Sequence, residues 1–177
     1  MTTESAPDQV EMSGDQFRAA FRHHPAGVAI VTANGPNGPV GLTATSVSSV
    51  SAEPPIFIFS VAASSSSLPA IRATESIVVN LLDSTQTPLA RLFATSGVDR
   101  FADQSVWSRL DTGEPYLTGV HTWIRGEIVK RIELGGSVVV AVRATHALIE
   151  EGDHPEPLVY HNRTWHGLGH ASRLPEV

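Results

Sequence analysis

The chain has 177 residues, 41% of them hydrophobic and 17% charged, with 18 acidic against 12 basic side chains and a net charge of −6. The absence of cysteine excludes disulfides, thiolate metal sites and cysteine nucleophiles, and the scattered basic residues exclude an extended nucleic-acid face. No apolar run approaches the roughly 18–20 residues that cross a bilayer, and the acidic, polar N-terminus has no secretory pattern. A single cytoplasmic domain is therefore expected, with neither a membrane nor a nucleic acid as partner.

Residues 1–12 read as a polar tail, 13–170 as the domain and 171–177 as a second tail. Ser13 and Gln16 have the spacing of a capping box, and Phe17, Ala20 and Phe21 recur at helical spacing, predicting a short amphipathic helix that stops near Pro25. Residues 27–32 read as the first strand. The breaker-rich turn at 34–39 makes a hairpin into the next strand. Pro54 and Pro55 end one extended run before the apolar residues 56–59. Ser65 or Ser66 is placed to cap a helix with Pro69 in its first turn and Leu68 and Ile71 on one face.

Residues 77–82 read as a buried strand, and Asp83 and Ser84 open a helix in which Leu89, Leu92 and Phe93 share a face. Residues 95–118 read as a long loop. From 121 to 132 the alternation puts Thr122, Ile124, Ile128 and Ile132 on one side and Arg125, Glu127 and Arg131 on the other; residues 138–149 pair back across Gly135 and Gly136. A short strand at 158–160 turns at Asn162 and Arg163 into residues 164–168. About seven strands with few helices predict a mainly β, antiparallel Greek-key split barrel with two or three peripheral helices.

One stretch is unlike ordinary core. Between Leu42 and Val61 there is no basic residue and one acid, Glu53, while Ser, Thr and Ala alternate so that neither strand face is a clean apolar stripe. Hydroxyls and accessible backbone N–H groups at this density suit an anionic, hydrogen-bond-rich ligand; a solvated edge strand has the same composition. The serines at 64–67, ahead of a helix, suit either a phosphate or a surface capping run. The histidines make no helical pair with an acid and there is no nucleophile elbow, so neither a metal hydrolase nor a serine hydrolase has support.

The order Gly27-Val28, Gly41-Leu42-Thr43-Ala44-Thr45-Ser46, Ser49-Val50-Ser51, Pro54-Pro55, Ser66-Ser67-Leu68, Arg100-Phe101, Gly113-Glu114-Pro115 and Leu158-Val159-Tyr160 resembles the flavin reductase family of FMN-binding split barrels. That resemblance implies an NAD(P)H:flavin oxidoreductase that supplies reduced FMN or FAD to a flavin-dependent monooxygenase, with NADH or NADPH as hydride donor. It implies a homodimer, for which Trp107, Trp123 and Trp165 are the exposed aromatic candidates. Thr43, Ala44, Thr45 and Ser46 would border the ring, with Ser49, Val50 and Ser51 beyond. Ser60, Val61, Ala62, Ser66 and Ser67 would form a second wall and take the phosphate, aided by Arg100.

Hydride passes between two cofactors in this chemistry, so no catalytic side chain is expected. Two departures stand out. Many members of the family have Gly-Asp-His where this chain has Gly135, Gly136 and Ser137, so the nicotinamide-side histidine is missing; Gly152-Asp153-His154 lies elsewhere and does not inherit the role. Ala63 and Ser64 also replace residues that are often basic. The lost histidine favours an alternative, a non-catalytic flavin-binding protein acting as electron carrier or flavin chaperone.

Overall fold

A computed structural model of the chain describes residues 11–153 and 155–175. The expected N-terminal tail lies almost wholly outside the described residues, as do the last two positions of the C-terminal one. Helix α1 (Gly14–Arg22) starts at the anticipated capping box: the Gln16 amide donates to Ser13 Oγ at 3.2 Å and the Ser13 amide to Gln16 Oε1 at 2.9 Å. It buries none of its residues.

The predicted first strand is divided in two, because Val28 hydrogen-bonds on both sides to different neighbours: its amide donates to the Leu158 carbonyl, and its carbonyl accepts from Leu82. Hence β1 (Ala26–Gly27) joins a small sheet and β2 (Ala29–Gly35) the main one. β3 (Gly38–Ala44) returns as a hairpin. A non-strand link over residues 45–47 separates it from β4 (Ser48–Ala52), which pairs with β5 (Pro55–Ala62). Helix α2 (Leu68–Ala73), β6 (Ser76–Leu81) and α3 (Thr87–Ala94) follow, the last entered through a 3₁₀ turn capped by Asp83.

Residues 95–118 are not all loop. They hold the short pair β7 (Trp107–Arg109) and β8 (Pro115–Leu117). Phe93, Phe101 and Trp107 stack edge to face with ring centroids 5.2 Å apart at each step, and Trp107 donates to the Phe101 carbonyl at 3.0 Å. This aromatic ladder gives the segment a core of its own. Trp107, Trp123 and Trp165 pack half-buried against that core, so they do not form the exposed aromatic surface anticipated from the sequence.

The long hairpin β9 (Thr122–Leu134) and β10 (Ser137–Ile149) turns at Gly135 (φ 52°) and Gly136 (φ 83°), the left-handed pair a tight hairpin requires. Its alternation is interrupted: Ile128 pairs with Val142 but Lys130 with Ala141, so Val129 is a bulge. The bulge exchanges the two faces beyond it. Arg131 therefore points inward, donating to the carbonyls of Ile71 and Thr74 at the end of α2, while Ile132 is 39% exposed. The expected grouping of Ile132 with Ile128 is corrected accordingly.

β11 (Leu158–His161) and β12 (Thr164–Gly167) complete the small sheet in the order β1-β11-β12. The main sheet is antiparallel, with strand order β3-β2-β6-β9-β10-β5-β4. It curls around Val31, Phe59, Val61, Ile77, Val79, Val138, Val140 and Val142, all buried. The curl brings β3 opposite β5, and these two strands share no ladder. The result is the predicted split barrel.

Candidate functional site

The split is bridged by side chains. Ser46 Oγ accepts from the Ser60 amide at 2.9 Å and donates to the Ser60 carbonyl at 3.3 Å. At the other end Ser67 Oγ donates to the Gly41 carbonyl at 2.9 Å, and the same oxygen accepts from Arg100 Nη1 at 3.0 Å. Gly41 to Ser46 is at most about 17 Å of extended chain. Hydroxyls therefore fasten both ends of a seam a small ligand could span.

Each end opens into a cavity. At the Ser46 end, a space of about 800 Å³ has residues 45–48 as one wall, with Phe17, Phe21 and Arg22 of α1 and Tyr160 and Arg163 of the β11–β12 region among the others. No Asp or Glu lines it among the described residues, although the chain is acidic. At the Ser67 end, a pocket of about 180 Å³ is bounded by Gly41, Ser66, Ser67, Asp99 and Arg100.

The Ser67 end holds an orphaned donor. Arg100 spends its terminal nitrogens on Gly41 O, Ser67 Oγ (3.4 Å) and Thr95 O (2.7 Å), yet its buried Nε has no partner. An unpaired buried N–H is costly. Asp99 is the one acid there, and it accepts from the Phe101 amide at 3.0 Å. Ser67, one position later than expected, is the α2 cap residue; its hydroxyl serves Gly41 instead of capping the helix.

The other anticipated residues divide by strand face. Thr43 Oγ1 donates to the Ala90 carbonyl of α3 at 2.7 Å, away from the core. Ala44 and Val61 are buried in the barrel interior, 4% and 1% exposed. Ser49, Val50 and Ser51 lie on the edge strand β4, with Val50 60% exposed. Ala62 and Ser66 are exposed at the surface end of β5 and before α2. Thus Thr45, Ser46 and Ser60 meet at one end of the seam, and Ser66, Ser67 and Arg100 at the other.

Ser137 pairs with Ala62, and the Gly136 carbonyl accepts from the Ala63 amide at 2.9 Å. Ser137, where the resemblance implies a histidine, thus borders the outer end of β5. His154 lies outside the described residues. What the sequence reading did not single out is the far wall of the large cavity, Phe17, Phe21, Arg22, Tyr160 and Arg163. The available signal was a helix with an apolar face that nothing on the chain had to cover.

A buried charge away from the seam was also missed. Glu114, 3% exposed, accepts from Arg125 Nε at 3.0 Å and from the hydroxyls of Ser76 and Thr112. Burial pushes its carboxyl pKa up, but hydrogen bonds from Arg125, Ser76 and Thr112 and from its own backbone together outweigh that and hold it at about 2. It ties the segment before β8 to β9 and takes no part in the cavities.

The fold is a split antiparallel barrel whose seam carries hydroxyls, with one unpartnered guanidinium N–H and Asp99 as the one acid lining the two cavities among the described residues. The model of the flavin reductase like domain matches residues 21–169, and the chain belongs to that family. An NADH:FMN oxidoreductase of Rhodococcus qingshengii is 48% identical over 84% of this chain and 78% of its own. The 4-hydroxyphenylacetate 3-monooxygenase reductase component of Pseudomonas aeruginosa is 33% identical, covering 90% of this chain and 95% of its own. A crystal structure of a flavin reductase domain protein from Arthrobacter sp. FB24 superimposes with a TM-score of 0.83 at 36% identity, covering 93% and 98% of the two chains.

Proposed function

We propose that this chain reduces FMN with NADH and passes the reduced flavin to a flavin-dependent monooxygenase. The broader activity is that of its family: it is an oxidoreductase that uses NAD(P)H and flavin. The observation that supports the finer reading is the seam, bonded at both ends by serine hydroxyls and opening at each end into a cavity. Thr45, Ser46 and Ser60 would hold the ring end, and Ser66, Ser67 and Arg100, which line the smaller pocket, the phosphate. When bound, the flavin supplies the hydride acceptor; the chain's residues need only bind, orient and shield it.

The monooxygenase partner is supported by the similarity to the Pseudomonas reductase component. A cytoplasmic setting fits the proposed use of NADH as donor. Homodimerisation is supported by apolar side chains on the outer side of β9, where Ile132 and Leu134 are 39% and 57% exposed. The carrier reading draws on Gly135, Gly136 and Ser137 replacing the nicotinamide-side histidine.

Steady-state oxidation of NADH and NADPH with added FMN or FAD separates these readings. Rapid NADH turnover with FMN, and hydroxylation restored to a monooxygenase that lacks its own reductase, is the expected result. Flavin binding with no turnover in any combination would select the carrier.

A further inference from the structure

The large cavity reaches from residues 45–48 to α1 and the β11–β12 turn, and two uncompensated cations line it. Arg22, the last residue of α1, and Arg163, in the turn between β11 and β12, make no side-chain hydrogen bond or ion pair among the described residues. Arg18, on the same helix, is by contrast held by Asp15 at 2.5 Å. The backbone brings Arg22 and Arg163 together, since the Asn162 amide donates to the Arg22 carbonyl at 3.0 Å. With no Asp or Glu lining the cavity among the described residues, this mouth is an island of positive charge on a chain of net charge −6.

The turn gives an independent indication. Asn162 has φ 46° and Arg163 φ 61°, the left-handed pair of a two-residue hairpin whose second position favours glycine. A long β-carbon-bearing side chain there is strained, and such strain persists where the side chain is needed at that spot. What the strain secures is a guanidinium at the cavity mouth.

We infer that Arg22 and Arg163 bind the diphosphate of the pyridine dinucleotide donor. The inference rests on the reductase reading above. It assigns the donor's anionic centre to the wall opposite residues 45–48, with Phe17 and Phe21, whose rings lie 4.5 Å apart, as the apolar surface beside it. Guanidinium pairs suit a diphosphate because each presents a planar fork of donors to two oxygens. Gripping the donor at its diphosphate also supplies an anchor that does not depend on a histidine at Ser137.

The test uses the full chain loaded with FMN, and the variants Arg22→Gln, Arg163→Gly and the pair. Direct titration with NAD⁺, steady-state kinetics with NADH, and FMN titration of the unloaded protein are read together. The dissociation constant for NAD⁺ and the KM for NADH should each rise about tenfold per arginine, with kcat and FMN affinity within twofold of the unsubstituted protein. Binding of NAD⁺ should also lose much of its salt dependence. Arg163→Gly should melt no lower than the unsubstituted protein, because glycine relieves the turn. Unchanged NAD⁺ binding in an active enzyme, or weakened FMN binding in place of weakened NAD⁺ binding, would overturn the assignment. A wild-type protein that binds FMN yet neither binds nor oxidises NADH would bring down the reductase reading, and this inference with it.

Discussion

Glu114→Gln removes a charge from one of the least accessible ionic contacts on the chain. The Arg125 side chain is 12% exposed and that of Glu114 4%, with Nη2 and Oε1 2.8 Å apart. Lowering the carboxyl from 4.5 to about 2 corresponds to about 3 kcal/mol at 1.36 kcal/mol per pH unit. Breaking a buried pair from one side typically costs about 3–5 kcal/mol, so two routes agree. The folded-state pKa lies below the unfolded one, so this stability is complete above pH 4.5 and is lost as pH falls from 4.5 towards 2. Urea unfolding followed by tryptophan fluorescence, at neutral pH and at steps down to about pH 3, measures it. The variant should be about 3 kcal/mol less stable at neutral pH, and the two stability curves should converge in acid. Curves that stay parallel across that range would refute the reasoning, because the lost stability would then not come from the ionised carboxylate.

Other substitutions test the fold around the seam. A Cβ at Gly126 would lie 2.4 Å from Val142 Cγ1 and 2.7 Å from the Arg143 carbonyl oxygen, so Gly126→Ala should cost about 2–3 kcal/mol and lower the thermal midpoint. Arg131→Met removes both donors to the end of α2; amide exchange in that helix should quicken while global stability falls by only about 1–2 kcal/mol. A Cβ at Gly41 would meet the buried Phe93 ring at 2.6 Å, so Gly41→Ala should both destabilise the protein and weaken FMN binding, read by melting and by flavin titration.

Features set by neighbours in sequence were legible before the structure. The Ser13–Gln16 capping box, the turn at Gly135 and Gly136 and the hydroxyl-rich run through Thr45 and Ser46 each depend on residues a few positions apart. Features set by pairing were not. Period-two alternation cannot reveal that Val129 bulges, because the bulge is defined by where Lys130 meets Ala141 on the next strand. Alternation alone consequently puts Arg131 and Ile132 on the wrong faces. The α1 wall of the large cavity depends on a turn about 140 residues downstream, whose amide holds Arg22. Glu114 carried no local sign that Ser76 and Arg125 would enclose it.

Equilibrium FMN binding, followed by flavin fluorescence, tests the seam most directly when three proteins are compared: the unsubstituted chain, Thr45→Arg/Ser46→Arg, and Ser67→Ala/Arg100→Gln. The first pair fills the large cavity at the ring end, and the second removes a hydroxyl and a guanidinium from the phosphate end. The account predicts that the ring-end pair abolishes binding and that the phosphate-end pair weakens it by about tenfold to a hundredfold. FMN affinity unchanged in both would contradict it and move the flavin off the seam altogether.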